Sequence, residues 1–179
     1  MKFRIKLLAL LMILMLTLAQ IAGCTSEEEP PKEDIDVERN VILPSEKIDI
    51  SDYTLLDFIT MDFNEDGYEE TIALYTLAER LPSGEIAWDD GQNWALVVHG
   101  EYEDFILFNE YVQLGALGFF AYFQNDDFVI SAIHSGTANL TLYEYKYENE
   151  SFIEKVRFAA EGDINMFHHL PFNYDKISD

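Results

Sequence analysis

The chain has 179 residues, of which 34 are acidic and 11 are basic, so its formal net charge is −23 at pH 7. A surface this acidic repels phosphate backbones and anionic headgroups, which excludes nucleic acid and direct binding to a membrane surface as favoured functions. Cations and cationic partners remain, as does simple solubility outside the cell. With a single cysteine the chain forms no internal disulfide, so its core, and any metal that it binds, must hold the fold together.

Residues 1–23 have the composition of an export signal. Three cationic side chains, Lys2, Arg4 and Lys6, precede a charge-free apolar run over 7–22. That run has 16 residues, whereas a helix that crosses a bilayer needs about 20. We therefore predict a cleaved signal peptide and not a retained membrane span. Cleavage removes three basic residues and no acidic ones, so the net charge would change from −23 to −26.

The signal ends in Ile21-Ala22-Gly23-Cys24, which resembles the lipobox of bacterial lipoproteins. The resemblance implies cleavage before Cys24 and acylation of that cysteine; the alternative is an ordinary cleavage site beside a cysteine. A diacylglyceryl group buries two acyl chains at about 0.8 kcal/mol per CH₂, which is enough for stable anchoring. The whole chain is similar to uncharacterised lipoproteins of Gram-positive bacteria. We expect it on the outer face of the cytoplasmic membrane, or on an outer membrane if the source is Gram-negative.

Residues 24–40 have the composition of an acidic, disordered tether. After the cysteine this segment contains only two aliphatic side chains among many charges and two prolines. Fully extended, it would reach roughly 50 Å, at about 3.3 to 3.6 Å per residue, and would hold a domain away from the lipid headgroups. The remaining residues, 41–179, are a normal size for a single domain.

Residues 41–179 show the pattern of an all-β domain. Short runs rich in aromatic and β-branched residues alternate with turn formers such as Pro82-Ser83-Gly84. We predict eight strands, at 53–60, 70–77, 94–99, 105–108, 117–123, 128–133, 139–147 and 152–158. Their close spacing predicts an antiparallel meander, arranged as a sandwich or a partial propeller. Helix is expected only in short pieces, at 109–115 or after Gly162.

The last two predicted strands differ in their alternation. In the strand at 152–158, Phe152 and Phe158 share one parity, which predicts that they lie on one buried face. In the strand at 139–147 the leucines, ending at Leu142, lie on one parity and the tyrosines on the other. That change predicts either two covered faces or a β-bulge near Leu142.

The most specific local feature is the loop Asp62-Phe63-Asn64-Glu65-Asp66-Gly67-Tyr68-Glu69-Glu70, between two predicted strands. Oxygen side chains at its first, third, fifth and ninth positions can converge on one point, and the glycine permits the sharp turn. Ca²⁺ suits such a cage because it accepts roughly six to eight oxygen ligands in flexible geometry. The predicted ligands are the side chains of Asp62, Asn64, Asp66 and Glu70 and the carbonyl of Tyr68. Glu65 and Glu69 are expected to point outward.

The loop resembles the D-x-[DN]-x-D-G-x-x-[DE] calcium loops of FG-GAP and VCBS repeats, which join neighbouring strands in integrin-type propellers and in bacterial surface proteins. The resemblance implies a structural Ca²⁺ that fixes a strand connection. An EF-hand would instead need a bidentate glutamate at the position of Ala73. The loop occurs once, and the domain is too short for a propeller of at least about four blades. The alternative is a solvated acidic turn without metal.

Motifs of the common enzyme classes are missing from the sequence, which contains no G-x-S-x-G, no phosphate-binding glycine loop and no H-E-x-x-H. We expect its four histidines to be surface or half-buried residues and not a shared metal site; they are His99, His134, His168 and His169. The cluster Asp89-Asp90-Gly91 between Trp88 and Trp94 offers a sugar-stacking edge as an alternative, but tryptophans beside strands are more often core residues.

The sequence therefore favours a non-catalytic β module, anchored in the membrane through its N-terminal lipid and stabilised by calcium, that binds a protein or an envelope polymer. The alternative is a small envelope hydrolase, or an accessory subunit of one. That function would need a concave pocket with carboxylates of perturbed pKa. A structural lipoprotein without a small-molecule ligand is the third hypothesis.

Overall fold

The computed structural model describes residues 40–162, and all the regular elements in this range are strands. In chain order they are β1 (Asn40–Ile42), β2 (Thr54–Met61), β3 (Glu70–Thr76), β4 (Gly91–His99), β5 (Asp104–Gln113), β6 (Ala116–Gln124), β7 (Asp127–Ser135), β8 (Asn139–Glu148) and β9 (Ser151–Glu161). The predicted all-β class is therefore confirmed. Between residues 40 and 162 no helix is long and apolar enough to cross a membrane.

The strands form two antiparallel sheets. In the four-stranded sheet β2, β3, β4 and β5 lie side by side in chain order. In the five-stranded sheet β6 to β9 do the same, and β1 is added beside β9. One apolar core includes Leu74 and Leu96 of the first sheet and Leu117 and Ile130 of the second, all without measurable exposure. Each sheet therefore buries its inner face against the other, as two meanders in a sandwich.

Eight of the strands correspond to the eight predicted ones, but β1 was not anticipated. It begins at Asn40, inside the segment predicted as tether, and pairs with β9 from Asn40 opposite Glu154 to Ile42 opposite Phe152. Three residues are too short a run to show a period-two pattern in the sequence, so their strand conformation depends on the edge that β9 offers.

The short helix predicted at 109–115 is wrong. Residues 109–113 continue β5 and pair with β4 as far as Gly91, which lies opposite Gln113. Val112 is buried in the core, so its side chain lies on the inner face of that strand. The other predicted helix, after Gly162, lies outside the described residues.

The β-bulge predicted near Leu142 is present. Leu142 pairs with Phe158, whereas the next residue, Tyr143, pairs with Val156. Arg157 is therefore the unmatched residue, and the bulge lies on β9. Because the extra residue reverses the alternation of the strand, Phe158 is 51% exposed. The prediction that Phe158 shares a buried face with the start of its strand is wrong for this reason.

The outer face of the four-stranded sheet is covered by residues 43–53, here named the N-terminal strap. Ile48 packs on a small apolar cluster that includes Tyr75. Asp104, fully buried at the start of β5, fastens the strap. Its Oδ1 accepts a hydrogen bond from Lys47 Nζ at 3.0 Å, and its Oδ2 accepts one from the Ile48 N–H at 2.9 Å.

The two described histidines differ from each other in burial. His99 is half-buried, as expected; its Nδ1 lies 3.0 Å from Asp104 Oδ1, and its Nε2 lies 2.8 Å from the Tyr75 hydroxyl. His134 is 7% exposed and packs edge-on against Phe108. The expectation of a surface or half-buried residue is wrong for His134, because it projects from the inner face of β7. The two histidines of the C-terminal segment lie outside the described residues.

The two tryptophans also differ. Trp94 is 2% exposed and belongs to the core, as expected. Trp88 is 44% exposed and stacks on Trp94, with ring centroids 5.5 Å apart and an interplanar angle of 13°. Because the ring of Trp88 is exposed, a sugar-stacking edge at this position stays a prediction.

Candidate metal centre

The predicted calcium loop connects β2 to β3 at one end of the four-stranded sheet. Its flanks are paired with each other, since Met61 lies opposite Glu70 in the register of the two strands. Phe63 points into the core and stacks on Phe128 of the five-stranded sheet, with ring centroids 4.3 Å apart and an interplanar angle of 5°. The loop is thus held at both ends and by a core side chain near its start.

The backbone of the loop curls around its own polar side chains. The Gly67 N–H donates to Asp62 Oδ2 at 3.0 Å, the Asp66 N–H donates to Asn64 Oδ1 at 3.0 Å, and the Tyr68 N–H donates to Asp66 Oδ1 at 2.8 Å. Gly67 has a φ of 93°, which favours glycine even though a Cβ there would meet no atom within 4 Å. The glycine is needed for its backbone conformation and not for space.

Asn64 joins two of the carboxylates. Its Nδ2 donates to Asp66 Oδ2 and to Glu70 Oε1, both at 3.0 Å. Glu70 is only 5% exposed, and its Oε2 also accepts a hydrogen bond from the Phe63 N–H at 3.3 Å. The structure therefore brings together the four side chains that the sequence predicted as ligands, three through the Asn64 amide and Asp62 through the backbone of Gly67.

One oxygen of this group has no hydrogen-bond donor among residues 40–162. Asp62 Oδ1 is buried and accepts no hydrogen bond from the described residues. Burying a carboxylate oxygen without a partner costs free energy, and a cation is one species that would offset that cost. The donor set of carboxylates, an amide oxygen and backbone carbonyls is the type that a hard cation such as Ca²⁺ prefers.

The electrostatics of the group also favour a cation. Burial raises the pKa of Glu70, and the negative charges of Asp66 and Asp62 raise it further, while the Phe63 N–H acts in the opposite direction. Three like charges within one loop repel each other unless a proton or a cation compensates them.

The remaining loop residues are exposed. Glu65 and Glu69 are solvent-exposed, consistent with the outward orientation expected for both. Tyr68 is 57% exposed, and its N–H donates to Asp66. Its backbone carbonyl is the atom that was predicted as a ligand. Among residues 40–162, no group of three or more His, Cys, Asp or Glu side chains is spaced as a ready-made metal cage. The loop is closed by hydrogen bonds through the Asn64 amide.

A second polar group was not anticipated. Glu110, His134, Tyr145 and Glu154 all project from inner faces of the sandwich, where a dry core would carry apolar side chains. The sequence carried part of the signal for this polar group, because Glu154 shares the parity of buried Phe152 within one predicted strand. Its three partners come from three other strands, and no local pattern connects them.

Cys24, with the rest of the predicted signal peptide and most of the tether, lies outside the described residues. No family model matches the chain, and no curated protein and no solved structure is significantly similar to it.

Proposed function

We propose that the protein is a non-catalytic, lipid-anchored β module on the outer face of the membrane, stabilised by calcium in the β2–β3 loop, that binds a protein or an envelope polymer. The observation that carries the calcium assignment is the buried Asp62 Oδ1, which accepts no hydrogen bond from the described residues and lies beside the joined side chains of Asn64, Asp66 and Glu70.

Calcium would be held by the side chains of Asp62, Asn64, Asp66 and Glu70 and by the carbonyl of Tyr68. When bound, it supplies positive charge and no reaction chemistry. The Asn64 amide, whose Nδ2 now donates to two carboxylates, would turn its oxygen toward the cation. The protein's own contribution is to hold Glu70 at the start of β3 and Asp62 at the end of β2, so that the cation joins the two strands.

The expected effect on stability is modest. A single loop in an extracellular module binds Ca²⁺ with a Kd of about 10⁻⁴ to 10⁻³ M. At a concentration near 1 mM, mass action then adds about 0.4 to 1.4 kcal/mol to the free energy of unfolding. That gain corresponds to a rise of a few degrees in Tm for a domain of this size.

Thermal unfolding of the mature chain, compared in about 2 mM Ca²⁺ and in chelator, tests the calcium site. Asp62→Asn removes one charge at the ligand position, and Glu69→Gln removes one charge at an exposed position of the same loop. We expect Ca²⁺ to raise the Tm of the wild type and of Glu69→Gln, but not that of Asp62→Asn. Coincident curves for the wild type with and without Ca²⁺ would show that the loop is a solvated turn.

The anchoring part of the proposal depends on Cys24. Its support is the apolar run before it, the small residues at the cleavage site, and the acidic segment that follows. Incorporation of a labelled fatty acid, followed by fractionation of the cells, tests it. We expect the wild type to be labelled and to sediment with membranes, whereas Cys24→Ser should lose the label. Equal labelling of both proteins would exclude Cys24 as the acylated residue.

A second candidate function, a small envelope hydrolase, is supported by a concave cleft of about 570 Å³ between β5 and the β7–β8 turn, whose lining includes Glu110 and Glu161. Release of soluble fragments from purified envelope polymer by the wild type, but not by Glu110→Gln, would favour the hydrolase over the binding module.

A further inference from the structure

The two sheets differ in what covers their outer faces. The N-terminal strap covers the outer face of the four-stranded sheet, where Ile48 packs on the cluster that includes Tyr75. The outer face of the five-stranded sheet carries aromatic side chains that stay exposed. Phe120 of β6 and Phe158 of β9 are each 51% exposed, and Tyr122 of β6 is 37% exposed. Adjoining exposed apolar side chains of this size mark an interaction site.

These side chains belong to one contiguous patch. In the register of the sheet Leu142 lies between Ile133 and Phe158, with one of them opposite it on each side. Phe120 lies opposite Ser131, whose hydroxyl is 3.0 Å from that of Tyr122. The intervening residues of the same strands belong to the core, so this set points the other way. We name the patch the outer aromatic face; it consists of Phe120, Tyr122, Ile133, Leu142 and Phe158.

The β-bulge on β9 is what exposes Phe158. Without the unmatched Arg157, the alternation of the strand would place Phe158 on the inner side with Phe152, which has no measurable exposure. The bulge reverses the alternation and turns the ring outward. Bulges that re-aim a side chain are features of function and not defects of a sheet. The exposed ring is therefore a specific product of the fold.

The outer aromatic face and its borders are close to neutral, in a chain whose net charge is −23. Arg157 Nε donates to Glu144 Oε2 at 2.8 Å. Lys146 Nζ lies 3.0 Å from Asp127 Oδ2 and 3.9 Å from Glu148 Oε2. Three of the five lysines and arginines between residues 40 and 162 project on this side of the sheet, namely Lys146, Lys155 and Arg157. Three cations thus accompany three carboxylates, and two copies can approach here without the repulsion that the acidic remainder produces.

The face is also large enough for an interface between two copies. The sheet has five strands. At about 4.8 Å between strands, and over about seven residues at 3.3 Å each, its outer face covers roughly 550 Å². Two copies would bury about 1,100 Å², whereas a specific interface needs about 1,000 Å². An area at this low end predicts a dimer that dissociates on dilution.

We propose that the outer aromatic face binds the same face of a second copy, so that the protein forms a two-fold dimer through its five-stranded sheet. In a two-fold interface a patch meets itself and must be self-complementary. Aromatic rings bury against aromatic rings here, and the cations and carboxylates around them offer both signs of charge to the other copy. A charged partner of either sign gains no such match from a neutral face. The dimer depends neither on calcium in the β2–β3 loop nor on acylation of Cys24.

Sedimentation velocity of the mature chain carrying Cys24→Ser, in chelator and over about two decades of concentration, tests the proposal. The substitution removes both the lipid and any disulfide between copies. We expect a monomer–dimer equilibrium.

Salt distinguishes an apolar contact from an ionic one. Raising NaCl from about 0.05 to about 0.5 M should strengthen association, because it screens the repulsion between acidic copies. A monomer at every concentration would overturn the proposal and leave the face to another partner, such as an envelope polymer. A dimer that dissociates in high salt would also overturn it, since its contact would be ionic.

Two matched variants locate the contact. Phe158→Glu should weaken dimerisation by about tenfold or more, because it places a charge in an apolar interface. Phe58→Glu makes the same change at a side chain that is 50% exposed on β2, in the other sheet, and should leave dimerisation unchanged. Equal weakening by both variants would show an effect of net charge and overturn the proposal.

Circular dichroism establishes that each variant is folded. Should Phe158→Glu fail to fold, Phe120→Ser is the second test, because it removes an exposed ring of the same face without adding a charge. We expect it to weaken dimerisation as well, by about threefold or more. A dimer that the folded variants of this face leave intact would be formed through another surface, and the outer aromatic face would not be the interface.

Discussion

Phe63 of the β2–β3 loop and Phe128 of β7 stack face to face, with ring centroids 4.3 Å apart. One residue belongs to the candidate calcium loop of the four-stranded sheet, and the other lies on the inner face of the five-stranded sheet. The contact therefore connects the loop conformation to the packing of the two sheets. It also explains why Phe63, flanked by two candidate ligands, is buried in the core while its neighbours face the loop interior.

Phe63→Ala should lower the free energy of unfolding by about 3 to 5 kcal/mol, since it leaves a cavity against Phe128. The measurement is urea unfolding followed by fluorescence. Phe120→Ala serves as the control, because Phe120 is 51% exposed and its truncation should change stability by less than about 1 kcal/mol. Equal losses for the two variants would contradict the core position of Phe63.

Tyr145→Phe should raise the free energy of unfolding by about 1 kcal/mol. The variant keeps the buried ring and removes a hydroxyl that has no hydrogen-bond partner among the described residues. Unfolding in urea measures the change, and Tyr147→Phe is a matched control on the same strand face. A loss of stability in Tyr145→Phe would mean that the hydroxyl is already bonded within the free protein.

Asp104→Asn should cost about 2 kcal/mol at neutral pH, because the N-terminal strap loses a charged acceptor. Burial alone would raise the pKa of Asp104, but hydrogen bonds from the Ile48 N–H, Lys47 and His99 outweigh it and lower the pKa below 3.8. The stabilisation by the carboxylate is thus complete above pH 3.8 and is lost as the pH falls through the lowered value. Unfolding curves from about pH 7 to pH 2 should show this loss in the wild type and not in Asp104→Asn.

His134 should make the protein less stable in mild acid. Its pKa in the folded state lies below the ordinary value of 6.5, so the unfolded chain takes up a proton first as the pH falls. Stability is therefore full above 6.5 and declines below it, down to the lowered pKa of the folded state. Tm measured at about pH 7.5 and pH 5 should fall more for the wild type than for His134→Gln. Equal shifts would show that other titratable groups dominate this range.

The strands and the candidate calcium ligands could be predicted from the sequence because both are encoded locally. β-branched and aromatic runs between turn formers located eight strands, and the change of parity at Leu142 located the bulge. The four ligand side chains lie within nine residues, so the curl of one loop is enough to bring them together. The same local reasoning placed a helix at 109–115, where cross-strand pairing with β4 gives the extended conformation instead.

By itself the sequence determined an all-β domain, a candidate metal loop, and the features that predict a lipid anchor at Cys24, because each depends on residues close together in the chain. Only the tertiary structure decided which faces are inner faces. Glu110 acts electrostatically on Glu154 because β5 and β9 belong to sheets that pack together, and β1 is a strand because β9 offers it an edge. Such contacts join distant segments, and their free energy exists only once both sheets have formed.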